Sequence, residues 1–179
     1  MNIILSDEFS LQVSHSAHAE KLFEAVEANR SHLETFLPWV PYMKTMEDFF
    51  TYLKNCEVLY AQGLECSFNI FERDRIIGRV GLHYIQKPNQ TANIGYWLVA
   101  NQQGKGIVTK AVKRVMKIGF EDLSLNRLEI KAAVQNIRSR AIPERLGFRL
   151  EGILRQAEVV QDAFYDQALY SFLKDELQQ

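Results

Sequence analysis

The fold of this chain is decided by Asn101-Gln102-Gln103-Gly104-Lys105-Gly106-Ile107. An apolar segment typical of a strand, residues 94–99, precedes it, and residues 107–121 after it carry apolar side chains at helical spacing. A strand, a glycine turn and a helix N-terminus form an anion site, because the first helical turn has unpaired N–H groups and a partial positive charge. Since Gly104 and Gly106 let a phosphate approach the backbone closely, the turn is predicted to bind a pyrophosphate.

The two common nucleotide-binding motifs do not fit this turn. The dinucleotide motif G-x-G-x-x-G requires a third glycine, where this chain has Thr109. The Walker A motif requires lysine after its last glycine, where this chain has Ile107. A lone G-x-G also fits an ordinary tight turn, so that alternative stays open at this point.

Length and composition predict one globular domain, residues 1–179. The formal net charge of -1 gives no general attraction to nucleic acid or to an anionic membrane. Cys56 and Cys66 have neither metal-ligand spacing nor a disulfide pattern, which predicts a reduced, cytoplasmic location. The N-terminal residues lack the basic and apolar regions of a secretory signal, and no apolar run reaches the length of a membrane span.

Periodicity and turn residues predict one mixed α/β or α+β arrangement around a single sheet. Helices are expected at about residues 17–29, with Ser16 as the N-cap, and at 46–62, 107–121 and 138–146. Strands are expected at about residues 3–13, as one strand or a pair, and at 66–71, 75–85, 91–99, 128–134, 148–160 and 164–173.

Three further segments carry a family resemblance. Asn136-Ile137-Arg138-Ser139 matches N-x-x-S, Glu144-Arg145-Leu146-Gly147-Phe148 matches E-[KR]-L-G-F, and Glu151-Gly152 follows. Together with the glycine turn, they resemble the GNAT superfamily of acetyl-CoA-dependent N-acetyltransferases. The stretches 92–98 and 151–158 are most similar to the branch of RimL-like enzymes that acetylate the N-termini of ribosomal proteins.

The resemblance implies a GNAT fold, an acetyl-CoA site and often a homodimer or higher homo-oligomer. The expected fold is a mixed, mostly antiparallel seven-stranded sheet, splayed between its fourth and fifth strands and flanked by about four helices. Coenzyme A would lie in the splay, with its pantetheine on the backbone of the preceding strand. The cofactor-binding residues implied are Leu98, Val99, Gln103, Gly104, Lys105, Gly106, Ile107, Val108 and Asn136.

Acetyl transfer to an amine requires a neutral nitrogen close to the thioester carbonyl and a proton for the leaving thiolate. An α-amino group, with a pKa near 8, is roughly one-tenth neutral at pH 7, whereas a lysine amine is neutral at about one part in a few thousand. The difference is roughly 3.4 kcal/mol. A weak or water-mediated base is therefore sufficient for a protein N-terminus.

The resemblance implies Glu158 as the base, acting directly or through water, and Ser139 as the donor to the leaving thiolate. Each has an alternative: Glu158 as an outward-facing strand residue, and Ser139 as a helix cap. Asn136 has the alternative of an Asx turn. Asn93 stands where many relatives carry a glutamate, and Pro143 stands where many carry a tyrosine acid, so neither of those routes is present.

Three residues are predicted on the acceptor side. Trp39 and Tyr42 belong to the loop that shapes the acceptor entrance in this fold, with core packing as the alternative. His83 lies on an alternating strand, where a packed histidine is the alternative. The remaining histidines show no metal-ligand spacing, so no metal is expected.

The resemblance, together with the glycine turn, implies an acetyl-CoA-dependent N-acetyltransferase in which the amine attacks directly in a ternary complex. The acceptor suggested by the resemblance is a protein N-terminus, in particular that of the ribosomal stalk protein. One alternative is an enzyme that acetylates a small amine such as a polyamine, amino sugar or antibiotic. An electronegative acceptor entrance would favour a polyamine over a peptide. The other is a CoA-binding module without turnover.

Overall fold

The computed structural model describes residues 2–178, which form one eight-stranded sheet and five α-helices. The helices are α1 Ala19–Glu27, α2 Arg30–Leu33, α3 Met46–Gln62, α4 Ile107–Lys117 and α5 Ile137–Arg145. The strands are β1 Asn2–Ile4, β2 Phe9–Val13, β3 Cys66–Glu72, β4 Arg75–Gln86, β5 Thr91–Leu98, β6 Arg127–Ala133, β7 Arg149–Val160 and β8 Ala163–Leu173.

The strand order is β1-β2-β3-β4-β5-β6-β8-β7. All neighbours are antiparallel except β5 and β6, so the expected mixed, mostly antiparallel sheet is confirmed. The expected number of seven strands was wrong, because the N-terminal segment forms a pair, β1 and β2. The expectation of about four helices missed the single turn α2.

The sheet opens between β5 and β6, which are the fourth and fifth strands when the short β1 is not counted. Residues 91–93 pair in parallel with residues 127–129, and the pairing stops there. Beyond that point β5 continues beside β4, and β6 continues beside β8. The carboxyl ends of two parallel strands therefore diverge, which is the place where open α/β sheets bind ligands.

Helix boundaries follow from local chemistry. Thr45 and Asp48 form a reciprocal capping box at the start of α3, and Gly63 ends the helix in the left-handed conformation with φ +68°. The first predicted helix begins later than expected, at Ala19. A 3₁₀ turn precedes it, and His15 rather than Ser16 caps that turn by accepting a hydrogen bond from the N–H of Ala17.

Two buried clusters hold the elements together. In the larger, α4 packs on β4 and β5 through Val108, Ala111, Val112 and Val115. In the other, α1 and α3 pack together and cover Phe71 and Ile76 of the sheet. Burying one such aliphatic or aromatic side chain contributes about 1.5–3 kcal/mol. Within residues 2–178, the helices are all too short or too polar to span a membrane.

Candidate functional site

Two adjoining cavities lie at the opening between β5 and β6. The larger cavity has a volume of about 540 Å³ and the smaller cavity a volume of about 350 Å³. The two cavities meet at a shared wall, called the junction below. The residues that line both cavities there are Phe36, Leu37, Tyr96, Trp97, Asn136 and Ser139.

The predicted glycine turn borders the smaller cavity. Gly104 and Gly106 have φ values of +79° and +74°, a conformation that glycine adopts without strain. Beyond the glycine itself and its chain neighbours, a β-carbon at either position would have no heavy atom of residues 2–178 within 4 Å. The space that a side chain would fill is therefore left open for a ligand to approach the backbone.

The start of α4 supplies the donors. Ile107 and Val108 are the first two residues of the helix, and both line the smaller cavity. In the first turn of a helix the N–H groups have no intrahelical partner and lie at the positive end of the macrodipole. The first intrahelical bond at this end is donated by Lys110 to the Gly106 carbonyl. The geometry suits a phosphate or pyrophosphate.

Polar side chains fix the rim of the smaller cavity. Gln103 accepts a hydrogen bond from Arg138 Nη1 at 2.7 Å, and its Nε2 lies 2.8 Å from His32 Nε2. Lys105 lies outside the cavity lining, with its ammonium donating to Gln102 Oε1 at 2.7 Å. Its contribution is a nearby positive charge, and Arg138 and Arg145 of α5 add two more at the lining itself.

The hydrogen bonds of β5 correct one predicted contact. The Val99 N–H donates to the Ile77 carbonyl at 2.8 Å, so it is not free to bind a ligand. Because bonding alternates along an antiparallel strand, the backbone groups of Leu98 and Tyr96 face the opening instead. The backbone of Leu98 remains available for the predicted contact, and that of Tyr96 faces the same side. The sequence shows the alternation but not which residues face β4.

The junction holds two hydroxyl groups. The Ser139 hydroxyl donates to the Tyr96 hydroxyl at 3.3 Å, and Tyr96 donates to the Ser139 carbonyl at 2.9 Å. Asn136 Oδ1 accepts the Ser139 N–H at 3.1 Å, so Asn136 is the cap of α5, and Ser139 is not. Burial raises the pKa of Tyr96, which keeps its hydroxyl a neutral proton donor. Sequence reasoning missed Tyr96.

Glu158 lines the larger cavity. The register of β7 against β8 shifts between Leu154 and Glu158, and Gln156 within this bulge has φ +52°. Such bulges re-aim side chains. The carboxylate accepts a hydrogen bond from Gln167, and burial raises its pKa. A carboxylate with a raised pKa is a better base near neutral pH than an exposed one.

Two of the three residues predicted on the acceptor side line the larger cavity, and one does not. Trp39 lines the larger cavity, with its ring 6.3 Å from that of Trp97. His83 lines the same cavity. Tyr42 does not join them: it is 80% exposed and lies outside both cavities, because the turn after Trp39 directs it to solvent.

Other charged groups also border the larger cavity. Arg79 is buried, and its guanidinium donates to Ser14, Ser67 and the hydroxyl of Tyr52. Lys131 of β6 is a second cation in the lining. Among residues 2–178, no cluster of three or more His, Cys, Asp or Glu side chains is placed to hold a metal ion.

Comparison with known proteins identifies the family. The family described as Acetyltransferase (GNAT) domain matches residues 11–149. The ribosomal-protein-serine acetyltransferase of Escherichia coli is 32% identical over 173 residues, covering 97% of both chains. The putative ribosomal N-acetyltransferase YdaF of Bacillus subtilis is 31% identical, covering 96% of this chain and 94% of the relative.

Solved structures share the fold of this chain. RimL, the ribosomal L7/L12 α-N-protein acetyltransferase in complex with coenzyme A, has a TM-score of 0.93 and 27% identity, covering 98% of this chain and 99% of that one. The microcin C7 self-immunity acetyltransferase MccE, in complex with acetyl-CoA and AMP, has a TM-score of 0.88 and 32% identity, covering 94% of each chain.

Proposed function

Because the chain belongs to the GNAT family and is an acetyl-CoA-dependent N-acetyltransferase, we propose that it acetylates the N-terminal α-amino group of a ribosomal protein. The observation that carries the proposal is the pair of cavities meeting at Ser139 and Tyr96. The smaller has the features of an acetyl-CoA site, and the larger can admit a chain terminus. A ribosomal acceptor implies a cytoplasmic enzyme.

In this proposal the smaller cavity holds the acetyl donor. Gly104 and Gly106 leave room for the pyrophosphate, and the N–H groups of Ile107 and Val108 bind it. The backbone of Leu98 and the side chain of Asn136 line the path of the pantetheine. That path ends at the junction, so the thioester would lie beside the two hydroxyl groups.

The chemistry follows from what surrounds the junction. The acceptor amine enters from the larger cavity and attacks the thioester carbonyl directly. Glu158 takes a proton from the amine, directly or through water. The hydroxyl of Ser139, which donates to the Tyr96 hydroxyl in this structure, turns toward the leaving sulfur in the complex and donates to it. No covalent enzyme intermediate is required.

The charges of the larger cavity argue against a polyamine. Arg79, Lys131 and His83 line it together with Glu158. The two permanent cations are matched by the carboxylates of Glu158 and of Glu65 behind His83, so the cavity is not electronegative as a polycation would require. A single α-ammonium is compatible with Glu158. A peptide N-terminus also needs less base strength than a lysine or polyamine, because its pKa is lower by about 2.5 units.

A small amine that carries an anionic group is the second candidate. Arg79 and Lys131 both line the larger cavity. Cationic side chains of this kind can bind a carboxylate or a phosphate. The structurally similar MccE was solved with AMP, which carries a phosphate.

The test is acetylation of a ribosomal protein mixture. The purified enzyme is incubated with acetyl-CoA and proteins from ribosomes that lack this modification, and intact masses are measured. The proposal predicts that one or a few proteins gain a single acetyl group, which peptide sequencing places on the N-terminal nitrogen. Acetylation confined to lysine side chains, or to added small amines, would contradict it.

A further inference from the structure

His83 and Glu65 form a pair at the wall of the larger cavity. The imidazole Nδ1 lies 3.2 Å from Glu65 Oε2, and the two side chains are 28% and 11% exposed. The carboxylate therefore lies buried behind a ring that reaches the cavity. A carboxylate on Nδ1–H fixes the tautomer and leaves Nε2 free to accept a proton.

Glu65 is itself held at its second oxygen. The Ser67 hydroxyl donates to Glu65 Oε1 at 2.7 Å, and Arg79 Nη2 donates to Ser67 at 3.0 Å. Burial alone would raise the pKa of the Glu65 carboxyl, but the hydrogen bond from His83 and the charges nearby lower it to about 2. Glu65 is therefore ionised near neutral pH.

The imidazole lies over β5. His83 is paired in register with Asn93, and both line the larger cavity. A β-carbon on Gly95 would lie 3.2 Å from Cδ2 and 3.3 Å from Nε2 of His83. The glycine thus leaves room for the edge of the ring that carries the free nitrogen, beside the strand that leads to the junction.

We propose that His83, oriented by Glu65, is a second proton acceptor of the acetyl transfer. This inference rests on the function proposed above. In each turnover the nitrogen–carbon bond forms and the carbon–sulfur bond breaks. An acceptor that enters as an ammonium loses two protons, the sulfur takes up one, and the other goes to solvent. Glu158 and His83 divide these two removals, and Glu65 is a positioning residue.

Charged groups surround His83 from several elements. Glu65 before β3 and Arg79 of β4 belong to its hydrogen-bonded network, and Lys131 of β6 and Glu158 of β7 line the same cavity. Glu65 contacts the ring nitrogen Nδ1 itself, so replacing its carboxylate by an amide should disturb the orientation of the imidazole.

The experiment measures kcat and KM against pH with an N-terminal peptide in wild type, His83→Gln, Glu65→Gln and the double variant. We expect His83→Gln to lower kcat about tenfold while the KM values for peptide and acetyl-CoA change by less than about twofold. Glu65→Gln should lower kcat by a smaller factor, and the double variant should lose no more than His83→Gln alone, because Glu65 acts through the ring.

The control is His15→Gln. The His15 side chain is 61% exposed and lies outside both cavities, so this variant should leave the dependence of kcat on pH unchanged. Wild-type kcat and pH profile in His83→Gln would overturn the role of His83 alone. Losses of kcat that multiply in the double variant would overturn the positioning of His83 by Glu65. Absence of turnover by wild type on every amine tested would overturn the proposed function and this role together.

Discussion

The Tyr96 hydroxyl donates to the Ser139 carbonyl at 2.9 Å, while the Ser139 hydroxyl donates back to Tyr96 at 3.3 Å. The two groups act as a unit, so their removal should not be additive. We expect Ser139→Ala and Tyr96→Phe each to lower kcat about tenfold or more, and the double variant to lose less than the product of the two effects. Steady-state kinetics of all four proteins measures this coupling, and strictly multiplicative losses would show that the hydroxyls act independently.

Glu158→Gln should keep the acetyl-CoA affinity and lose a base. Turnover at pH 7 should fall on the order of 10²-fold, and the loss should shrink at high pH, where the acceptor is already neutral. Burial raises the pKa of Glu158, so this base becomes protonated at a higher pH than an exposed carboxylate does. As the pH is lowered, wild-type activity should therefore begin to fall at a higher pH than it would with an exposed carboxylate as the base. Wild-type turnover in the variant at pH 7 would remove Glu158 from the mechanism.

Glu158→Gln should lower turnover but should not lower the stability of the protein at neutral pH. A carboxyl whose pKa is raised by folding stabilises the protein below its unfolded pKa, and this contribution is lost as pH rises through the folded pKa. At neutral pH the half-buried charge of Glu158 is therefore unfavourable. Glu158→Gln should show an equal or higher Tm than wild type at pH 7, and the difference should shrink at pH 4. A lower Tm at pH 7 would contradict this.

Gly106→Val should weaken acetyl-CoA binding at least tenfold, about 1.4 kcal/mol, in calorimetry. The added side chain would occupy the open space that borders the smaller cavity. The backbone φ of +74° at this position also strains any residue other than glycine. Gly147→Val is the matched control, because Gly147 also has a positive φ, +83°, but lies outside both cavities. Equal affinity in a folded Gly106→Val protein would contradict pyrophosphate binding at this turn.

Thr45→Ala should remove half of the capping box of α3 and cost about 1 kcal/mol of stability. The expected fall in Tm is about 2–4 °C for a chain of this size. Thr51→Ala is the control, because Thr51 is exposed within the same helix and alanine has the higher helix propensity. A Tm loss as large in Thr51→Ala would mean that the cap contributes little.

Features that depend on local chemistry could be predicted from the sequence. The two positive φ values of the turn follow from Gly104 and Gly106, and the end of α3 follows from Gly63. The sheet order and its opening came from the resemblance, because strand pairing is non-local and periodicity carries no information about partners. The extra strand β1 has three residues, too few for an alternating pattern to be visible.

The candidate site was predictable in its chemistry more than in its geometry. Val99 was assigned a free N–H because the sequence cannot show which residues of β5 face β4. The Tyr96 hydroxyl was missed because its partner Ser139 lies 43 residues away in sequence, so the pair is formed by the fold alone. The position of Tyr42 depended on one turn of the loop, and the pair of His83 with Glu65 joins residues that are distant in sequence.

The central claim, transfer of acetyl to a protein N-terminus, is tested most directly by comparing kcat/KM for three acceptors with the purified enzyme. The first is a peptide with a free N-terminal serine and one internal lysine, the second is the same peptide with a blocked N-terminus, and the third is spermidine. We predict turnover of the first, with the acetyl group on the α-nitrogen, and at least about 100-fold lower kcat/KM for the other two, since their amines have the higher pKa. Equal kcat/KM for the blocked peptide, or a higher value for spermidine, would contradict it.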